Sequence, residues 1–365
     1  GDFAGFLVAW GYLVSVWCTN AAITVSFISA LSTFIPALAT NATLAIITGL
    51  ATIWFLTWVN SLGIFTSGVV QLISTILKIV PIILIGVVGL FYIQWENFLP
   101  FNTSGASNIV AITATTTLTF FAFLGIECAT IPSGSVTNSA ATVAKATTLG
   151  TLIATVVYIL STVSIMGMIP AAQLKTSVTP FADAAVLIWG HGAAYWVSAG
   201  VAIAAFGALN GYILIQGQLP FAIAKDKLFP TVFMQLNSKG IPVLGVVISS
   251  VFVSVLMCMN YTKGLVDQFK FLMLMTTSTI LIPYIFCTAS YLIMRFKLPF
   301  QSSKYLALAI LLAALTFIFC LWLMIGLGQE TVFWGFFLTM SSVPIYVFAV
   351  WKREKTEINS TFSQP

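Results

Sequence analysis

The chain has 365 residues and a formal net charge of +5; it is 59% hydrophobic and only 6% charged. A soluble domain typically carries about 25% charged residues, so this composition, with a mean hydropathy of +1.06, excludes one and places the chain in a membrane. Apolar runs of about 20 residues, the length that crosses a ~30 Å hydrocarbon core, are too long and continuous for barrel strands, which alternate polar and apolar positions. The predicted fold class is therefore all-α and polytopic, with one transmembrane domain over residues 1–351 and a cytoplasmic tail over 352–365.

Ten runs qualify: residues 3–34, 42–62, 67–92, 110–131, 147–168, 193–222, 241–259, 269–294, 305–327 and 331–351. The first begins within three residues of Gly1, without a methionine or a signal peptide, which raises the expectation of about 60 to 90 further residues upstream, enough for two spans and their connections. The third holds Lys78, in "STILKIVPIIL". An intramembrane amine loses its proton more readily than an exposed one and can carry a proton or stand as a fixed cation; the alternative is a lysine snorkelling to the interface.

The fourth run ends in "TFFAFLGIECATIPSGS". A carboxylate inside a membrane costs at least about 2.5 kcal/mol on insertion scales, so Glu127 should face a cavity or a partner and is a functional candidate. Gly125 tolerates unwound backbone and Pro132 removes a donor. The stretch from Gly125 to Gly134 can therefore interrupt the helix, and free backbone groups at membrane depth are tolerated where they are buried or line a cavity, as in many secondary transporters. Connections of note are 97–108 and 170–190. In the sixth run Gly207 and Gly211 form a GxxxG beside Ala204 and Ala208, a pattern for close helix packing. The following stretch, 224–242, spaces Leu228, Phe229, Val232, Phe233 and Leu236 beside charges and predicts a short helix in the cytoplasmic interface.

Basic residues orient the chain. With the tail in the cytoplasm, Lys145, Lys225, Lys227, Lys239, Arg295, Lys297, Lys304, Lys352, Arg353 and Lys355 lie inside, and only Lys175, Lys263 and Lys270 outside. Scattered over short loops, they form no nucleic-acid surface. Cys18, Cys128, Cys258, Cys287 and Cys320 show neither disulfide nor metal spacing, His191 is the only histidine, and no phosphate-binding glycine loop is present. An enzyme would need paired acids, a His cluster or a cofactor site, and none is visible, so neither cofactor nor metal is expected.

"FLGIECAT", "YILSTVSIMGMIP" (158–170) and "SVTPFADAA" (177–185) together resemble the amino acid-polyamine-organocation (APC) superfamily, above all its basic amino acid/polyamine antiporter branch, which includes arginine/agmatine antiporters. The resemblance implies a LeuT-like inverted-repeat fold, the ten runs here matching family helices 3 to 12. It implies that Asn20, Phe121, Leu124, Gly125, Tyr212 and Thr276 bind substrate, with Phe121 and Tyr212 at positions where the antiporters carry tryptophans. It implies that Tyr12, Glu127 and Tyr284 form the inner gate. Lys78 departs from the antiporters' small residue and is similar to the lysine of proton-coupled relatives, so Glu127 and Lys78 are the expected proton-coupling pair.

The implied function is secondary active transport of amino acids across the cytoplasmic membrane by alternating access, proton-coupled, with obligate amino acid/amine exchange and a non-transporting sensor as alternatives. Expected partners are an amino acid or amine substrate, protons and membrane lipids; a homodimer is left open. Phe121 and Tyr212 hold cations less well than tryptophan, which points away from arginine and toward neutral or moderately polar amino acids.

Overall fold

A chain this apolar must satisfy its backbone polar groups internally, which helices do within one segment. The computed structural model describes residues 1–63, 68–128, 139–259, 261–297 and 303–351. Among them there is no strand. Thirteen α-helices follow in order: α1 (Asp2–Ser32), α2 (Ala37–Thr40), α3 (Ala42–Ser61), α4 (Gly68–Gly89), α5 (Asn108–Phe120), α6 (Ser139–Met168), α7 (Ala171–Leu174), α8 (Pro180–Trp189), α9 (Gly192–Lys225), α10 (Val243–Cys258), α11 (Leu265–Lys297), α12 (Ser303–Ile325) and α13 (Gln329–Met340), the last extending helically to Trp351.

Among the described residues each of the ten predicted runs falls on a helix, and eight helices are long and apolar enough to cross a membrane. The third run falls on α4, and the seventh on α10, whose 16 residues rise about 24 Å. Many hydroxyls within these spans are spent on their own helix: Thr19 donates to Ser15 O at 2.8 Å, Thr24 to Asn20 O at 2.8 Å and Thr279 to Met275 O at 3.0 Å. This is how apolar helices absorb threonine and serine without orphaned groups.

α1 is the axis of the molecule. It packs most extensively on α11 and α9, then on α10, and its Phe6, Trp10, Leu13, Trp17 and Ile28 join Val253, Met257, Leu272 and Met275 in one buried cluster. α4 lies against α6, where Gly86 and Gly89 admit Leu160, Ser161, Ser164 and Met168 so closely that a Cβ at Gly86 would stand 3.2 Å from Ser161 N. Pro81, Pro220 and Pro283 sit inside α4, α9 and α11, each withholding one backbone donor from its helix.

Three expectations need correction. The 170–190 connection contains α7 and α8, and α8 buries Ala182, Ala184 and Ala185 against α9 and α4; at ten residues it is too short to register as a span. The 224–242 stretch forms no amphipathic α-helix, only a 3-10 turn at Thr231–Met234. It is held instead by its side chains: Phe229 packs on Phe6, Trp10 and Phe233, while Asn237 Nδ2 and Lys239 Nζ donate to Ser61 O (3.0 Å) and Leu62 O (2.8 Å) at the end of α3. Those carbonyls are orphans of the helix terminus, and a cation there also complements its dipole. Close packing of α9 is not at Gly211, where a Cβ would meet nothing within 4 Å, but at Gly217, against which a Cβ on Gly245 of α10 would stand 2.7 Å from Gly217 O.

Candidate functional site

The site is built where α5 stops. After Phe120 the chain makes a 3-10 turn through Phe123, Leu124 turns extended (ψ 147°), and Gly125 takes φ +96°. That conformation is disfavoured for any residue with a Cβ. A Cβ at Gly125 would also overlap the Tyr212 hydroxyl of α9, so glycine is required twice over. The continuation through Pro132 lies outside the described residues, as does the side chain of Lys78, whose backbone belongs to α4.

The interruption turns Glu127 toward two helices. Its Oε1 accepts from Tyr12 Oη of α1 at 3.3 Å, and its Oε2 accepts from Tyr284 Oη of α11 at 3.1 Å and from Gly125 N at 2.9 Å. Half-buried, the carboxylate thus draws donors from α1, α11 and its own broken segment. Hydrogen bonds to an ionised acceptor are the stronger kind. Cys128 adds its Sγ 3.5 Å from Tyr12 Oη. These bonds tie α1 and α11 to the broken end of α5.

Of the other expected residues, Phe121 is half-buried and meets Phe269 of α11 edge-on, with ring centroids 6.2 Å apart. Leu124 and Tyr212 flank the break. Asn20 is fully buried and donates from Nδ2 to Gln216 Oε1 at 2.6 Å. Thr276 is buried, but its hydroxyl is turned back to Leu272 O at 3.0 Å, within its own helix. Sequence reasoning missed Cys128 and Gln216. Gln216 was findable, since an uncharged amide in the middle of an apolar run needs partners as surely as a charge does.

A cavity of about 500 Å³ lies between α1, α4, α8, α9 and the start of α11, lined by Ser26, Ser29, Pro81, Phe181, Ser198 and Phe269 among others. Among the described residues no three His, Cys, Asp or Glu side chains come together as a metal site.

The described residues thus form a multi-helix membrane bundle with a broken helix and a carboxylate bridged to two neighbours. The family model "Amino acid permease" matches residues 1–350, and the chain belongs to that family. It is 32% identical over 254 residues to a cadaverine/lysine antiporter of Escherichia coli (strain K12), covering 69% of this chain and 57% of that protein. It is 29% identical over 310 residues to an arginine/ornithine antiporter of Pseudomonas aeruginosa, covering 81% of this chain and 64% of that protein. With a putrescine transporter of Haemophilus influenzae it shares 25% identity over 355 residues, 96% of this chain and 81% of that protein. The chain thus spans less than two thirds of the length of the first two relatives.

Proposed function

We propose that this protein carries basic amino acids or diamines across the cytoplasmic membrane by alternating access, working as an exchanger. The observation that carries the reading is the Glu127 latch: one carboxylate joined to Tyr12 and Tyr284 across a helix break. The relatives named above are antiporters of cadaverine and lysine and of arginine and ornithine, and a putrescine transporter. Their names support cationic substrates over the neutral ones that Phe121 and Tyr212 suggest, and exchange over one-way uptake. In the cycle, Tyr12, Glu127 and Tyr284 close the inner side of the site, Gly125 supplies the bend, and Phe121, Leu124 and Tyr212 enclose the substrate.

Proton-coupled uptake is the second reading, favoured by Lys78 in the third span and by the ionisable Glu127 at the break. Uptake of labelled L-lysine into empty liposomes under an inward proton gradient separates the two. The exchange reading expects none until cadaverine or lysine is loaded inside; accumulation in empty vesicles favours proton coupling. A competition panel addresses substrate class: lysine and cadaverine should displace label, and leucine doing so equally well would restore the neutral expectation.

A further inference from the structure

A chain of buried side-chain hydrogen bonds runs through four helices, from Asn20 of α1 to Gln216 of α9, Ser250 of α10 and Thr57 of α3. Asn20 Nδ2 reaches Gln216 Oε1 at 2.6 Å, Gln216 Nε2 reaches Ser250 Oγ at 2.9 Å, and Ser250 Oγ meets Thr57 Oγ1 at 2.6 Å. Backbone carbonyls close it: Thr57 Oγ1 donates to Ile53 O at 2.8 Å, Ser250 Oγ to Val246 O at 2.9 Å, and Ser249 Oγ secures Gln216 O at 3.1 Å. All five side chains are buried.

The direction of this chain is set from its far end. A carbonyl only accepts, and each hydroxyl has a single hydrogen. Gln216 Nε2 also lies 3.5 Å from Val246 O, a carbonyl that can only accept, and the Ser250 hydroxyl donates to that same carbonyl, so Ser250 Oγ faces Gln216 as an acceptor. Gln216 therefore turns its NH2 to Ser250 and its carbonyl to Asn20. Asn20 in turn gives its NH2 to Gln216, and its Oδ1 is left buried without a hydrogen-bond partner. Gln216 stands one turn along α9 from Tyr212, and Asn20 two turns along α1 from Tyr12.

We infer that Gln216 is a positioning residue that holds Asn20 with its carbonyl oxygen, not its NH2, free for the substrate, and so makes the site select an N–H donor such as a substrate ammonium. An amide turned the other way would offer hydrogens and would favour a carboxylate. The inference builds on the transport reading and on Asn20 as a substrate contact.

The test is a double-mutant cycle on the full chain in liposomes preloaded with L-lysine, reading the half-saturation concentration and maximal rate for labelled L-lysine exchange. Gln216→Met keeps the volume and removes the amide. It should raise the half-saturation concentration about tenfold, the loss of one oriented hydrogen bond, with the maximal rate little changed. Combined with Asn20→Ala it should be no worse than Asn20→Ala alone, because Gln216 acts through Asn20. Additive losses, or an unchanged half-saturation concentration in Gln216→Met, would overturn the inference. If Gln216→Met does not fold, Ser250→Ala carries the same cycle and should shift half-saturation in the same direction, only when Asn20 is present; no shift overturns the inference. Absence of lysine exchange in the unsubstituted chain would instead overturn the transport reading, and with it this one.

Discussion

Replacing Gly125 with alanine tests the geometry of the helix break. Two costs are legible. The backbone at φ +96° penalises an L-residue by roughly 1–2 kcal/mol. The new Cβ would also overlap the Tyr212 hydroxyl, and overpacking of this kind adds about 1–3 kcal/mol. Only the second cost involves Tyr212. Without its hydroxyl, the nearest ring carbon would stand 3.5 Å from the Cβ, an ordinary contact. Gly125→Ala should therefore lower the unfolding temperature in detergent and abolish lysine exchange, while Gly125→Ala/Tyr212→Phe should recover stability by about 1–3 kcal/mol and part of the exchange. A Gly125→Ala protein with full stability and activity would refute both costs, and a double variant no better than the single one would refute the contact with Tyr212.

Glu127→Gln keeps the shape of the side chain but replaces one of its two acceptor oxygens with a donor NH2; lysine exchange should fall about tenfold, the loss of one hydrogen bond, and exchange equal to that of the unsubstituted chain would remove Glu127 from the transport cycle. Tyr12→Phe and Tyr284→Phe each delete one donor to the carboxylate, worth about 1.5–3 kcal/mol, and should loosen the latch, seen as faster reaction of Cys128 with a membrane-permeant maleimide; unchanged labelling in both would show that the tyrosines do not hold it. Lys78→Ala should leave lysine binding intact and remove any uptake driven by a proton gradient; equal loss of binding and flux would point to damaged packing.

Much of this molecule is legible from hydrophobicity alone, for a physical reason. A bilayer enforces a length of about 20 residues on a spanning helix, so most of the runs emerge within a few residues of the observed helices; the fourth outlasts α5, which stops at Phe120, and the fifth starts eight residues after α6 does. The same rule hides α8: Pro180–Trp189 buries alanines but is half a span long. Residues 224–242 looked amphipathic because Phe229 and Phe233 recur near helical spacing, yet those rings serve an aromatic cluster with Phe6 and Trp10, and the Asn237 and Lys239 side chains tie the stretch to the end of α3. At the site, Glu127 and Gly125 announced themselves by being out of place in an apolar run. The path from Asn20 to Thr57 did not. Its members are uncharged and 193 residues separate Thr57 from Ser250, so only the folded helices bring them together.

Exchange itself is tested most directly by efflux. Liposomes holding the full chain and loaded with labelled L-lysine would be diluted into buffer with or without external cadaverine, and the retained label followed. The account predicts prompt release with cadaverine outside and retention without it. Equal release under both conditions would contradict exchange, and retention under both would contradict transport of these substrates.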